Sequence, residues 1–276
     1  MTNPFIETAD AARTSAANEQ DRNRKWWEIK PMTYADWSAE DRIPGQASEF
    51  LELESYVRRT GPWLYDWFSE QDFEGVDCLD LGSGSGIFSS FLARRHAHVT
   101  AVDLTQTGTN LTRATTQFFE CDVAVVRGDA ETIPFADKTF DFIFSWGVLH
   151  HTHDMDAAVK EAARVLKPGG RGMMMVYNKN SVVYYAHGLY WLIAKGKIFK
   201  GYSLRTVQDF YTDGFYHRYL TAKGLGGILN SVGLSARKFS VTQYEKKIIP
   251  GIPYALDRWM KSKFGMCLIA EFEKPR

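Results

Sequence analysis

Cysteine is scarce in this chain: Cys78, Cys121 and Cys267 are the three, and they stand far apart. There is no CxxC pair and no Cys/His spacing of the metal-ligand kind, which excludes a disulfide scaffold and a zinc module and leaves three reduced thiols. Net charge is absent too, with 33 Lys+Arg against 33 Asp+Glu. A general polyanion binder draws its affinity from neutralising phosphates, so no nucleic-acid partner is expected. Long hydrophobic runs are missing. The longest apolar-leaning stretch, 182–194, contains His187 and is too short to span a bilayer, so no stable membrane insertion is expected. Residues 1–21 are polar and alanine-rich without an apolar core, unlike a secretory signal. Together these absences predict a soluble, cytoplasmic protein. Internal repeats and low-complexity tracts are absent as well. What is present is 45% apolar and 14% aromatic residues over 276 positions, enough for a sizeable core and long for one domain.

Residues 1–25 read as a loose arm, followed by Trp26, Trp27, Tyr34 and Trp37 in a polar stretch. Phe50, Leu53, Val57 and Leu64 fall near helical spacing and predict a helix over 49–68, interrupted at Gly61-Pro62. From residue 76 the pattern becomes strand, turn, helix. Strands are predicted over 76–81, 98–103, 123–126, 140–145 and 171–177. Helices are predicted over 86–95, 111–119 and 155–166, the last stopped by Lys167-Pro168-Gly169-Gly170. Such alternation makes a parallel sheet covered on both faces. A tyrosine-rich block, 178–232, breaks the rhythm. Strand signals return at 237–244 and 266–272, as an antiparallel pair closing one sheet edge.

The most informative local feature is Leu79-Asp80-Leu81-Gly82-Ser83-Gly84-Ser85-Gly86. Three alternate glycines after an apolar strand permit positive φ and close approach of a ligand to the backbone. A loop of this kind entering a helix is expected to offer free amides to a small molecule. The dinucleotide pattern G-x-G-x-x-G is not met, because Ile87 stands where its third glycine belongs, which argues against an NAD-dependent oxidoreductase.

Further signals follow in order. They are Asp103 at a strand end, Gly128-Asp129-Ala130-Glu131-Thr132-Ile133-Pro134-Phe135, and Phe140-Asp141-Phe142-Ile143. Ser145-Trp146-Gly147-Val148-Leu149-His150-His151 and Arg164-Val165-Leu166-Lys167-Pro168-Gly169-Gly170 complete the series. The series closely resembles the class I S-adenosylmethionine-dependent methyltransferases, in particular a bacterial small-molecule branch with a Leu-His-His signature. The resemblance is strong over 76–177 and positional at the edge strands.

The resemblance implies an α/β, Rossmann-like class I methyltransferase fold. Its sheet would be mostly parallel and seven-stranded with helices on both faces, plus an N-terminal cap and a helical insert. The implied division is an arm or cap over 1–48 and a methyltransferase domain over 49–276 with a substrate lid at 178–232. It implies S-adenosyl-L-methionine as cofactor. Asp80, Gly82, Ser83, Gly84 and Gly86 would lie under its amino-acid end. Asp103, with Leu104, would accept both ribose hydroxyls; Asp129 and Ala130 would meet the adenine, and Ser145 and Trp146 would flank the cofactor.

His150 and His151 have three readings. Adjacent histidines are poor metal ligands, and no metal is expected. One imidazole, His151 ahead of His150, suits a general base, or both orient a loop ahead of a helix near Asp154. Tyr34, Trp37, Tyr177, Tyr184, Tyr216 and Arg218 are the expected substrate contacts, Arg218 holding either an anionic group or a loop salt bridge. The implied reaction is in-line methyl transfer to a small molecule, a specialised metabolite or a sugar, with oxygen weakly favoured. An alternative acceptor is lipid-like or a quinone at a membrane surface, because Trp191 with Lys195, Lys197 and Lys200 resembles an interfacial anchor. A catalytically dead cofactor-binding homologue is a further alternative. The insert suits a lid or the face of a homodimer equally.

Overall fold

The computed structural model describes residues 16–29, 47–211, 217–242 and 251–276. Helices come first: α1 (Ala16–Ile29), α2 (Ala47–Thr60) and α3 (Pro62–Glu70). In α2 the side chains of Phe50, Leu53 and Val57 repeat on one face and are buried, so a single stripe meets the core. Pro62 opens α3 at a position where its missing N–H costs nothing, and the interruption at Gly61-Pro62 separates two helices.

The alternating part follows as β1 (Asp77–Leu81), α4 (Ile87–Ala93), β2 (His98–Asp103), α5 (Gln106–Phe118) and β3 (Val123–Arg127). Then come β4 (Phe140–Trp146), α6 (Met155–Val165) and β5 (Leu166–Asn178). The expected helix over 111–119 begins at Gln106, because Thr105 caps it by accepting from the Gly108 N–H at 2.9 Å. The buried face of that helix includes Thr109, Thr112, Thr115 and Thr116, so an apolar count underestimates its length.

After β5 the chain forms α7 (Val182–Leu189), a π turn (Tyr190–Ala194), a 3-10 turn (Lys197–Lys200) and α8 (Leu204–Tyr211). It ends with β6 (Tyr219–Leu220), α9 (Ala222–Ser231), β7 (Ser235–Thr242), α10 (Tyr254–Phe264) and β8 (Cys267–Glu273). The sheet has eight strands in the order β3-β2-β1-β4-β5-β8-β7, with β6 beside the end of β5. Strands β1 to β5 run parallel, and β8 is antiparallel to both β5 and β7. The chain winds from β1 out to β3 and returns to β4 on the other side of β1. That reversal opens a crevice at the carboxyl ends of β1 and β4.

Side chains alternate between two cores. Phe142, Phe144, Trp146, Met173, Met175 and Tyr177 cluster with residues of α2, α3 and α4. Phe140, Ile143, Met174 and Val176 cluster with α6 and α9, where Leu225 and Leu229 are fully buried. The block 178–232, read in the sequence as one insert, therefore divides. The part up to Tyr211 lies outside the alternation, whereas β6 joins the sheet and α9 covers it. Gly224, Gly226 and Gly227 lower the helix propensity of α9 and hide its periodicity. No described helix is long and apolar enough to cross a membrane.

Candidate functional site

The turn from β1 into α4 borders the crevice. Gly82, Gly84 and Gly86 all take positive φ, at 84°, 49° and 73°. Packing adds a second demand: a Cβ on Gly82 would come within 2.1 Å of Val148, and one on Gly86 within 2.6 Å of the Thr112 backbone. Four amides of this loop are not left open as the sequence led us to expect. Those of Gly82 and Ser83 donate to the Val102 carbonyl, at 2.7 and 3.0 Å, and that of Gly86 donates to the Ser83 carbonyl. The Gly84 amide donates to Asp103 Oδ2 at 2.9 Å. The loop thus presents a bare backbone surface more than a row of donors.

Asp103 ends β2 and braces that loop. Its Oδ1 accepts from the Thr105 amide at 2.9 Å and the Thr105 hydroxyl at 2.7 Å. A carboxylate has about four lone-pair sites. Three internal donors leave room for one more, so accepting two hydroxyls would require breaking an internal bond. Burial pushes the Asp103 pKa up, against the pull of the Thr105 and Gly84 donors.

The neighbouring residues are more committed to the fold than the sequence implied. Asp80 is buried and accepts from the Ser89 hydroxyl of α4 at 2.5 Å. Burial raises its pKa to about 7, and the Asp103 carboxylate adds to the rise. Ser83 Oγ lies 2.8 Å from Thr112 Oγ1. The Ser145 hydroxyl donates to the Leu81 carbonyl at 3.0 Å, tying β4 to β1. The Trp146 indole stacks on Phe144 at 5.8 Å within the aromatic core. Asp129 accepts from the Glu131 amide at 2.9 Å in an Asx turn, and Ala130 packs in the core. The Leu104 carbonyl accepts from Arg127 Nε.

Beyond β4, Val148 leans on Gly82 and leads directly into a 3-10 turn, Leu149–His151. His150 and His151 are both buried there, their rings 4.1 Å apart. Tyr177, at the end of β5, lies 4.0 Å from the His150 ring and 5.5 Å from that of His151. His217, just before β6, is 6.1 Å from His151 and 5.3 Å from Tyr219, and Tyr184 of α7 packs on Tyr219 at 4.8 Å. Burial, helped by His151 and His217, holds the His150 pKa well below its usual range; burial takes His217 down to about 3. The His150 and His217 imidazoles are therefore neutral at physiological pH. Neither ring nitrogen of His150 has a hydrogen-bond partner among the described residues. Arg218 holds this turn in place, its amide donating to the His150 carbonyl at 2.9 Å and its guanidinium to the Thr152 and His153 carbonyls. Asp154 caps α6 by accepting from the Ala157 amide at 3.0 Å.

Helix α1 crosses between these two regions. At one end Glu28 caps α5, accepting from the Gln106 and Thr107 amides at 3.0 Å each and the Thr107 hydroxyl at 2.9 Å. Burial works to raise the Glu28 pKa, but the Thr107 and Gln106 bonds outweigh it and the net shift is downward. A turn earlier, Asn23 donates to the His151 carbonyl at 2.8 Å and Trp27 packs edge-on to the His151 ring at 4.9 Å. Sequence reading missed Glu28 and Asn23. No motif marks them, although Trp27 stands out as one of a run of aromatics. Tyr34, Trp37 and Tyr216 lie outside the described residues.

Comparison with known proteins places this geometry. Residues 79–174 match the family model described as a methyltransferase domain. Over 137 residues the chain is 37% identical to the biotin biosynthesis bifunctional protein BioHC of Cellvibrio japonicus, covering 50% of this chain and 26% of that protein. It is 38% identical over 104 residues to a fatty-acid O-methyltransferase of Mycolicibacterium smegmatis, covering 37% of each. The chain thus spans well under half the length of either relative. A SAM-dependent methyltransferase structure from Methanosarcina mazei aligns with a TM-score of 0.55 and 21% identity, covering 78% of this chain and 97% of that one, which is a likeness of fold.

Proposed function

We propose that the chain, which matches a methyltransferase domain over residues 79–174 and shares its fold with a SAM-dependent methyltransferase, moves a methyl group from S-adenosylmethionine to a hydroxyl of a small-molecule acceptor. The observation that carries this reading is the cluster of buried imidazoles and Tyr177 set directly after Val148, the residue that packs on the glycine loop. The fatty-acid O-methyltransferase among the relatives lends weight to oxygen as acceptor atom. A specialised metabolite or a sugar suits a crevice edged by Tyr177 and Tyr184.

The residues present fit the cofactor: a backbone loop held at positive φ, and a carboxylate with one lone-pair site to spare. When bound, S-adenosylmethionine supplies an electrophilic methyl group on a sulfonium. The 82–86 loop would let its amino-acid end pass without side-chain clash, and Asp103 would accept one ribose hydroxyl. His151 would take the acceptor's hydroxyl proton on a ring nitrogen as the O–C bond forms and the methyl carbon's bond to the sulfonium sulfur breaks, the sulfur leaving as a neutral thioether. His150, which burial keeps neutral, would orient the hydroxyl. Helix α1 caps the crevice and excludes water. Three free cysteines fit a reducing, cytoplasmic setting.

The test uses S-adenosylmethionine carrying a labelled methyl group, incubated with the protein and an extract of its source cells. Label in small molecules that withstands mild acid and base as a methyl ether supports the reading, and label released by base as methanol marks a carboxylate acceptor and overturns the hydroxyl. Label in lipids, protein or nucleic acid overturns the acceptor class. Cofactor binding without any label marks a dead homologue.

A further inference from the structure

We propose that the outer face of α7 and the two turns after it is a docking surface for an anionic lipid bilayer. Helix α7 and the π turn are apolar on both sides. Tyr184, Gly188 and Leu192 face inward, and a Cβ on Gly188 would come within 2.2 Å of Leu204 in α8. One position on, Tyr185, Leu189 and Ile193 repeat with the same spacing and face outward, Ile193 with 67% of its surface exposed. A helix apolar all round is normally covered on all sides.

The turn that follows extends this face. Gly196 and Gly201, at φ 64° and 77°, bracket Lys197–Lys200 and reverse the chain sharply. At its tip Phe199 is 90% exposed, beside the exposed Ile198 and between Lys197 and Lys200. Lys195 Nζ lies 5.6 Å from the Tyr190 ring and 6.0 Å from the Trp191 ring. Amphipathic aromatics beside lysines, with an apolar tip reaching further out, match the level of headgroups above acyl chains.

Charge selects the occupant. The chain as a whole has equal numbers of cationic and anionic residues, yet residues 179–208 contain Lys179, Lys195, Lys197, Lys200 and Arg205 and no Asp or Glu. A second copy of this chain would set like charge against like. An anionic headgroup layer is complementary to the strip, and the apolar residues between the lysines gain what a soluble polyanion would not give them. Contact is peripheral, because no described helix can span the bilayer. The inward residue Tyr184 packs on Tyr219 of the histidine–tyrosine cluster, so docking sets the crevice near the lipid surface. Docking requires no methyl transfer, so its test is independent of the acceptor.

The experiment is co-sedimentation of the full chain with vesicles of phosphatidylcholine alone or mixed with phosphatidylglycerol. Binding is expected on the mixed vesicles only and should weaken as salt is raised. The double variants I198S/F199S and K197E/K200E should each lower the partition coefficient at least about tenfold. Their melting temperatures and cofactor affinity should match wild type, which shows that they fold. Lack of binding to anionic vesicles, equal binding to neutral ones, or wild-type binding by the variants overturns the proposal. So does a wild-type dimer, seen by light scattering, that I198S/F199S dissolves, since the face is then an interface between copies.

Discussion

Replacing Asp103 by alanine removes a carboxylate that accepts three internal hydrogen bonds, from the Gly84 amide and from the amide and hydroxyl of Thr105. Bonds to a charged group contribute about 1.5–3 kcal/mol each, but burying the charge offsets much of the sum. That cost is visible in the upward push of burial on the Asp103 pKa. The expected net loss of stability is about 1–3 kcal/mol, read by urea unfolding without ligand. The proposed ribose contact is a further charge-assisted bond, so cofactor affinity should fall by about 1.5–3 kcal/mol, or roughly 10- to 150-fold. Asp103→Asn is the informative companion. Its one acceptor oxygen can serve either Gly84 or Thr105, while its NH2 opposes the other. Stability should therefore drop nearly as far as in the alanine variant, and affinity should drop with it. The assay is calorimetric titration with S-adenosylmethionine and with its demethylated product. Wild-type affinity in a destabilised variant would show that Asp103 braces the loop and does nothing else. Unchanged stability would refute the hydrogen-bond argument itself.

Three other outcomes are expected. Glu28→Gln should loosen α1 by about 1 kcal/mol, since it removes a negative charge from the amino end of α5. Amide exchange over residues 20–29 should quicken about fivefold while the sheet stays protected, and unchanged exchange would mean that α1 is held by other contacts. Acid should act similarly, because the folded pKa of Glu28 lies below its unfolded value: the tie is present above the unfolded pKa and lost as pH falls through the folded one. Asp80→Asn addresses the opposite shift. The folded pKa of about 7 lies above the model-peptide value of 3.8, so the native state keeps its proton longer, and Asp80's contribution is full below about pH 4 and lost as pH rises through 7. The variant should gain on wild type between pH 5 and pH 8 in urea unfolding, by at most about 4 kcal/mol; a difference that does not change with pH refutes the burial argument. His151→Ala should lower turnover about 100-fold or more and leave cofactor affinity intact. Wild-type turnover across the pH range would leave His151 a purely structural role.

Much of the fold was legible because its signals are local. The alternation of strands and helices from β1 to β5 follows from apolar runs of fixed length, and Lys167-Pro168-Gly169-Gly170 marks the end of α6 within a residue or two. Legibility failed where side-chain chemistry masks packing. The buried face of α5 is made of threonines, and α9 contains three glycines, yet both are covered helices because the sheet gives them a surface to pack on. At the site, the strand-end residues named from the sequence lie around the crevice, but several turn to the fold. Ser145 bonds the Leu81 carbonyl, Asp80 bonds Ser89, and the Arg218 guanidinium holds the turn after β4. Composition does not show whether a hydroxyl or a carboxylate has a partner already.

The sequence by itself determined the glycine loop, the strand that feeds it and the acid that ends the next strand. Positive φ, strand periodicity and strand-end position are properties of a few neighbouring residues. Tertiary structure alone decided what surrounds them. Asn23 meets the His151 carbonyl across 128 positions and Glu28 meets the Gln106 amide across 78. His217 joins His151 because β6 pairs with the end of β5. Contacts so distant in sequence leave no periodic trace, since each depends on where the sheet sets the two chain segments in space.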